Sequence, residues 1–599
     1  MSIARRALLP VLVFAVAFLT FWPGLTGEFV NWDDYDNVVN NPGVHGLGRA
    51  QLEWMWTSAV LGHYIPLTWM SFGLNFALGG LNPRGYHLVN LLLHAANATL
   101  FFWIARRLLR AARSPDTSDE AASPGPADFG AAFAALIFAV HPLRVESVVW
   151  ITERKDVLSA FFFLLSVLAY LRSVATETVQ PVWRGLSLLA FAAALLSKAS
   201  AMPLPAVLLL LDAYPLGRIQ RLGWRRCLLE KLPWVVIGAA GALLALIVVL
   251  KGTGVTGYES YGVAARIAMT TYAFMFYPAR WLWPVQLIPL YELPPRLDPF
   301  STRFVVPAVA FVLVTAALIA LRKRWPAGLA AWTLSVVMLL PISGAVHSGH
   351  QLAHDRYSYL SGLGLALLLG GGLTRLLDTD MRRRLGPVIV RSVALGAAVL
   401  VLLLGVATWD QSKIWRDSET LWRWAVAIDP GCAVCWNNFG TSLTAQKRHP
   451  EAESAYRRAL QLRPARATVA NNIATALHGQ SKDVEAEEML RLALKLDPNL
   501  TGALANMGAL YAQTGRLAES LPYFRRAWAQ DPYFANLARD YAAALLEIAK
   551  SEREAGRAIQ AMALLQETLV VSPADAEARR QLDAMTATRT RAAAARSDR

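Results

Sequence analysis

Residues 464–498 read PARATVANNIATALHGQSKDVEAEEMLRLALKLDP, a stretch that begins and ends on proline. Pro430, Pro464, Pro498 and Pro532 recur at one equal spacing, and the same spacing separates Gly440, Ala474 and Gly508, and Ala459, Ala493 and Ala527. Small residues at fixed places in a repeating unit let two helices approach closely. The proline ends the second helix, because it cannot donate to the helical ladder. The reading is a stack of helical pairs, each burying its apolar face against the next.

A period of about 34 residues with this pattern is the signature of the tetratricopeptide repeat (TPR). Residues 417–430, through Trp422 and Trp424, supply a preceding half-repeat, and 541–573 a degenerate, longer one. Stacked repeats offer a concave surface suited to an extended peptide, with a plain spacer as the alternative. Cys432-Ala433-Val434-Cys435 starts the leading helix of the first full repeat. Outside the cytoplasm this pair is able to form a disulfide, although small residues packing at a helix start is the plainer reading. The chain has three cysteines in all, too few for a disulfide framework. The repeat domain is placed at 409–580, with a disordered basic tail at 581–599.

Before Trp409 the composition is different. The whole chain is 55% apolar with a mean hydropathy of +0.35, and residues 1–408 hold nearly all the long apolar runs. A membrane-spanning helix needs roughly 20 such residues. Candidates lie near 7–27, 87–105, 129–149, 156–172, 185–200, 201–216, 233–250, 304–321, 327–345, 357–376 and 387–408. Arg5–Arg6 with the run behind it is similar to a signal-peptide start, but no small-x-small pattern follows, so the first span is expected to stay uncleaved. The segment 264–283 is broken by Arg266, Pro278 and Arg280 and reads as an interfacial helix.

The formal charge of +15 raises nucleic acid as a partner. Much of the basic excess, however, sits in short clusters between apolar runs, and no basic stripe interleaved with aromatics appears. With the N-terminus inside, the clusters at 106–113, 218–231, 322–324 and 375–391 all fall on the cytoplasmic side, provided 264–303 stays outside. The expected fold is therefore all-α: a polytopic bundle of about eleven spans over 1–408, then a TPR α-solenoid on the non-cytoplasmic side.

Polar residues mark the outer face of that bundle. Asn31-Trp32-Asp33-Asp34-Tyr35-Asp36 follows the first span, where a partly desolvated carboxylate can be tuned for base chemistry. His87, Asn90 and His94 recur at helical spacing on one face, and the two histidines are about 10 Å apart, too far to share one ion. A third segment runs from His141-Pro142-Leu143-Arg144-Val145-Glu146 to Glu153-Arg154-Lys155-Asp156. Lys198 stands late in an apolar run, and His354-Asp355-Arg356-Tyr357 opens a span. Arg154, Lys198 and Arg356 all fall near the outer surface, where cations can hold a phosphate, arginine with a bidentate fork. His87, Asn90, His94, Glu146, Asp156 and Tyr357 are expected as cavity or positioning residues. No metal-ligand cluster is apparent.

Taken together, these segments and the terminal repeats resemble one family, the transmembrane and TPR-repeat-containing O-mannosyltransferases of the GT-C glycosyltransferase superfamily. The chain looks like a bacterial relative. That resemblance implies an outer-face active site and a polyprenyl-phosphate-linked sugar as donor, with no cofactor. It implies that Asp33 or Asp34 serves as general base or orients the acceptor, and that Arg154, Lys198 and Arg356 bind the lipid phosphate. The family often has Lys-Glu where this chain has Lys198-Ala199, and Gly-Arg-x-Asp where it has Glu153-Arg154-Lys155-Asp156.

The expected function is transfer of a hexose, mannose by the resemblance, from polyprenyl phosphate to Ser/Thr of exported proteins recruited by the repeats. The expected location is a bacterial inner membrane, with the repeats on the periplasmic side and no nucleic-acid partner. Two alternatives stand beside it: a lipid or envelope-polysaccharide acceptor, and a non-catalytic membrane-anchored TPR scaffold. A pure anchor, however, needs one span and no polar outer loops.

Overall fold

The computed structural model describes residues 2–113, 125–176, 178–251, 261–294, 296–344, 349 and 351–597. The side chains of 2–7 and 592–597, Arg5 and Arg6 among them, lie outside the described set. The chain divides into two compact units, Met1–Ile428 and Asp429–Arg599. Helices make up nearly all regular structure among the described residues. The named strands are Tyr291–Glu292 and Gln351–Ala353, paired antiparallel.

Among the described residues of the first unit five helices are long and apolar enough to cross a membrane: Pro83–Ala111, Ile151–Ser173, Trp224–Lys251, Thr302–Ala320 and Thr379–Ile414. Two expected spans are bent pairs, Pro126–Ala139 with Pro142–Val149 at 58°, and Asp355–Ser361 with Leu363–Leu376 at 52°. The other four are shorter apolar helices, Leu8–Thr20, Pro181–Ser197, Ala199–Ala213 and Pro326–Ile342. Length and composition alone give five spans, or seven with the bent pairs, against the eleven expected. The shortfall has local causes that a hydropathy window averages away. Pro142 and Pro215 cannot continue a helix, and Lys198 is extended at φ −161°. Leu243, Val312, Leu402 and Leu403 stay exposed on the long helices, as a lipid-facing surface requires.

The ends of the helices sort by charge. Arg113, Tyr214, Trp325 and Arg375, from four segments expected on the cytoplasmic side, line one cavity. Arg113 also pairs with Asp378 at 2.8 Å. Close by in sequence to Tyr214, buried Asp212 accepts from Tyr170, Arg218 and Lys231 and ties the 212–231 turn to the bundle.

Two boundaries differ from the sequence reading. The helix Ser418–Ile428, expected to start the repeats, belongs to the first unit. Its Trp422 donates to Asn31 at 2.7 Å, and Ser418 Oγ accepts from the Asn31 backbone at 2.8 Å. Residues 581–597, expected to be disordered, continue the helix Ala576–Ser597. Their alanine and arginine content favours helix even where little is buried.

The second unit stacks four helical pairs, beginning Ala433–Ala445 with His449–Leu462 and ending Leu537–Glu554 with Ala558–Val571. The small residues that recur with the repeat do the packing. A Cβ on Gly440 would stand 2.6 Å from the Tyr456 ring and one on Gly508 2.8 Å from Phe524, while Ala459, Ala493 and Ala527 are fully buried. Cys432 and Cys435 form a disulfide.

Candidate active site

The bend at His141-Pro142 builds the site. His141 Nδ1 accepts from the Leu143 N–H at 3.2 Å, and Nε2 donates to the Trp281 carbonyl at 2.9 Å. The segment read as a polar outer loop is thereby buried: Arg144, Glu146, Glu153, Arg154 and Lys155 are each at most 3% exposed. Charges buried this way are stabilised by pairing. Arg144 differs, its guanidinium nitrogens having no hydrogen-bond partner among the described residues and its charge lying over the Phe138 and Tyr359 rings at 5.4 and 5.6 Å. Glu153 is the hub. Lys155 Nζ lies 3.2 Å away, Lys198 Nζ 3.1 Å and Arg356 Nε 3.2 Å. Arg356 also pairs with Glu146, whose other oxygen accepts the Arg356 backbone N–H at 2.9 Å. Lys198 pairs with Asp156, which accepts from Ser147 at 3.2 Å. The strand pair ends directly before His354, which donates to the Pro289 carbonyl at 2.8 Å and so fixes the turn that presents Arg356.

Lys198, Arg356, Asp156 and Tyr357 line one small cavity of about 40 Å³, with Tyr359 and Ser361. Three cations, Lys155, Lys198 and Arg356, face three carboxylates, Glu146, Glu153 and Asp156. Arg356 lies over the Trp150 ring at 5.2 Å, and Trp32 of the first loop packs on Trp150 at 6.2 Å. One aromatic side chain thus connects the acid-bearing loop to the cation cluster.

The paired acids of that loop have different environments. Asp34 is 1% exposed and accepts from Val30 N at 3.0 Å, Thr152 N at 2.9 Å and Thr152 Oγ1 at 2.6 Å. Burial pushes its carboxyl up from 3.8 to about 6, against the pull of those hydrogen bonds. Both oxygens are occupied, Oδ1 holding the loop to Thr152 and Oδ2 accepting from Val30. Asp33 is half-buried, and its carboxylate has no such engagement among the described residues.

Arg154 departs from its expected role. Its guanidinium donates to Asn90, to Asn75 at 2.9 Å, to Ser71 at 3.3 Å and to the Tyr86 carbonyl at 2.7 Å. Every nitrogen is engaged within the bundle, which leaves no fork for a phosphate. Asn90 also donates to the Trp150 carbonyl at 3.2 Å. His94 donates to the Ala139 carbonyl at 2.9 Å and accepts from Tyr359 at 2.7 Å, so it orients a cavity residue. His87 sits under the first loop, where a Cβ on Gly27 would come 3.0 Å from its ring.

Glu153 and Lys155 escaped the sequence reading, although four consecutive charges at the mouth of a span were a signal that a solvated loop explains poorly. His63, within electrostatic reach of Glu153, Lys155, Lys198 and Arg356, carried no signal at all. Among the described residues no group of three His, Cys, Asp or Glu is arranged to hold a metal ion.

Comparison with known proteins finds the repeats and a set of similar membrane proteins. The tetratricopeptide-repeat family is matched over residues 431–499 and 500–529. The human protein O-mannosyl-transferase TMTC1 is 26% identical over 497 residues, covering 74% of this chain and 53% of that protein. Over about three quarters of its length the chain is similar in sequence to the TMTC protein O-mannosyl-transferases. Human TMTC4 is 26% identical over 72% of this chain and 63% of its own length, and mouse TMTC3 23% identical over 74% and 50%. The chain therefore spans between half and two thirds of the curated relatives it matches.

Proposed function

We propose that this chain is a membrane glycosyltransferase that moves a hexose, with mannose the first choice, from a polyprenyl-phosphate donor to Ser/Thr hydroxyls of exported proteins. The observation that carries the reading is the meeting of Lys198 and Arg356 in one cavity, joined through Trp150 to the loop that bears Asp33. The names of the relatives support the reaction class.

In the proposed step Asp33 takes the proton of the acceptor hydroxyl, and the hydroxyl oxygen attacks the anomeric carbon. The bond from that carbon to the phosphate oxygen breaks, and polyprenyl phosphate leaves with its charge held by Lys198 and Arg356. Glu153 and Glu146 keep the two cations aimed while the site is empty of phosphate. Asp34 holds the loop, and His94 orients Tyr359 at the cavity wall.

The repeats would recruit the acceptor on the non-cytoplasmic side. The Cys432–Cys435 disulfide supports that side, since such bonds persist outside a reducing cytoplasm. A line of amides along the leading helices supports the recruiting role, with Asn472 donating to Asn437 and Asn506 to Asn471, each at 2.9 Å. Side-chain amides can meet a peptide main chain without reading its sequence.

The test is a donor panel with the purified full chain in detergent and a Ser/Thr-rich peptide. Radiolabel should pass to peptide from polyprenyl-phosphate mannose and not from nucleotide sugars. Transfer from a nucleotide sugar, or from no donor, would overturn the proposal.

A further inference from the structure

A second cavity of the first unit lies away from the polar site. It has a volume of about 310 Å³ and is lined by apolar and small residues, Ala327, Ala330, Gly371 and Gly372 among them, with Arg113 and Arg375 at one end. It exists because the facing surfaces of Pro326–Leu339 and Leu363–Leu376 are rich in alanine and glycine, which leave space between the helices. A cavity with such walls holds hydrocarbon in preference to water.

The segment Pro326–Ile342 lines both cavities, at opposite ends. Ala327 and Ala330 face the apolar one, while Met338 and Ile342 face the polar one beside Lys198 and Arg356. The helical rise from Ala327 to Met338 is about 16 Å. The apolar cavity belongs to the end of the bundle that carries the basic clusters.

We propose that this cavity binds one anionic phospholipid of the cytoplasmic leaflet, with an acyl chain in the apolar space and the phosphate at Arg375. Arg113 is already paired with Asp378, whereas Arg375 is exposed at the rim with no ion-pair partner among the described residues. Charge therefore selects an anionic head. The donor's own polyprenyl chain is a different occupant, because its phosphate belongs at the far end, with Lys198 and Arg356. The exclusion of the donor chain rests on the transferase reading, whereas the lipid titration that follows needs no transferase activity.

Native mass spectrometry of the full chain in detergent, titrated with phosphatidylglycerol and with phosphatidylcholine, tests it. Phosphatidylglycerol should bind about fivefold more tightly, the yield of one headgroup contact to a basic side chain. Arg375→Ala should abolish that preference, and since Arg375 is exposed this arm is readable in a folded protein. Gly372 lines the cavity and a Cβ on it meets nothing within 4 Å, so Gly372→Leu adds bulk at the cavity wall without strain at its Cβ. It should weaken both lipids by about tenfold through lost chain burial. Unchanged lipid binding in Gly372→Leu, or an intact phosphatidylglycerol preference in Arg375→Ala, would overturn the assignment. Displacement of bound phosphatidylglycerol by polyprenyl phosphate would do so as well, and would give the cavity to the donor.

Discussion

Lys198 and Arg356 grip opposite oxygens of one buried carboxylate, Lys198 Nζ at 3.1 Å from Glu153 Oε2 and Arg356 Nε at 3.2 Å from Oε1. They come from segments far apart in sequence, and neither points at solvent. A carboxylate in this position preorganises two cations for an anion of similar size and competes with that anion for them.

The charge balance predicts proton-coupled binding. Within the ion-paired cluster three cations and three carboxylates already cancel, so an incoming phosphate adds negative charge there that an entering proton would offset. Donor binding should therefore take up a proton and tighten as pH falls. Calorimetry of polyprenyl-phosphate binding in two buffers of different ionisation enthalpy reads the uptake, and a value of zero would contradict it.

Asp34 should give the fold a pH dependence of its own. Its folded value of about 6 lies above the unfolded 3.8. Between those values the folded state holds a proton that the unfolded state has lost, so stability is greatest below about pH 4 and falls as pH rises towards 6. The loss is on the order of 3 kcal/mol. Thermal unfolding across that range should slope downward in the wild type and run flat in Asp34→Asn. The same slope in both proteins would remove Asp34 from the explanation.

Arg154→Ala should cost stability rather than donor affinity. It leaves Asn75, Asn90 and the Tyr86 carbonyl without their donor, and losing one member of a buried charged network typically costs about 3–5 kcal/mol. Donor affinity, measured on the folded fraction, should match the wild type. A selective loss of affinity in a protein of normal Tm would restore the phosphate role expected from its sequence position.

Trp422→Phe isolates the brace on the first loop. The substitution keeps the ring packing on Trp32 and removes only the Nε1–H bond to Asn31. The loop should loosen by roughly 1 kcal/mol, seen as faster hydrogen exchange over residues 28–37 and a lower kcat at unchanged donor KM. Unaltered exchange in that segment would show that the helix Ser418–Ile428 does not hold the loop.

The repeats were legible because their spacing is a covalent property: the equal steps from Pro430 to Pro464 and on to Pro498 dictate the same packing whatever surrounds them. Lys198 and Arg356 were also legible, since a cation inside an apolar run has few placements. The mode of packing was not. Nothing in Glu153-Arg154-Lys155-Asp156 distinguishes the arginine that turns into the bundle from the glutamate that gathers three cations. That choice is made by Asn75 and Asn90 on other helices. The bends at Pro142 and Gly362 were hidden for a related reason, because an apolar average taken over the length of a whole span does not register where a helix breaks.

The most direct test of the account is the kinetics of sugar transfer by Asp33→Asn, with donor binding measured in parallel on the same folded preparation. Loss of a general base typically lowers rate by about 10²–10⁴-fold, so kcat should fall by that factor while donor affinity stays at the wild-type value. Full turnover by Asp33→Asn would contradict the central claim, and would leave Asp33 as a solvated residue of the loop.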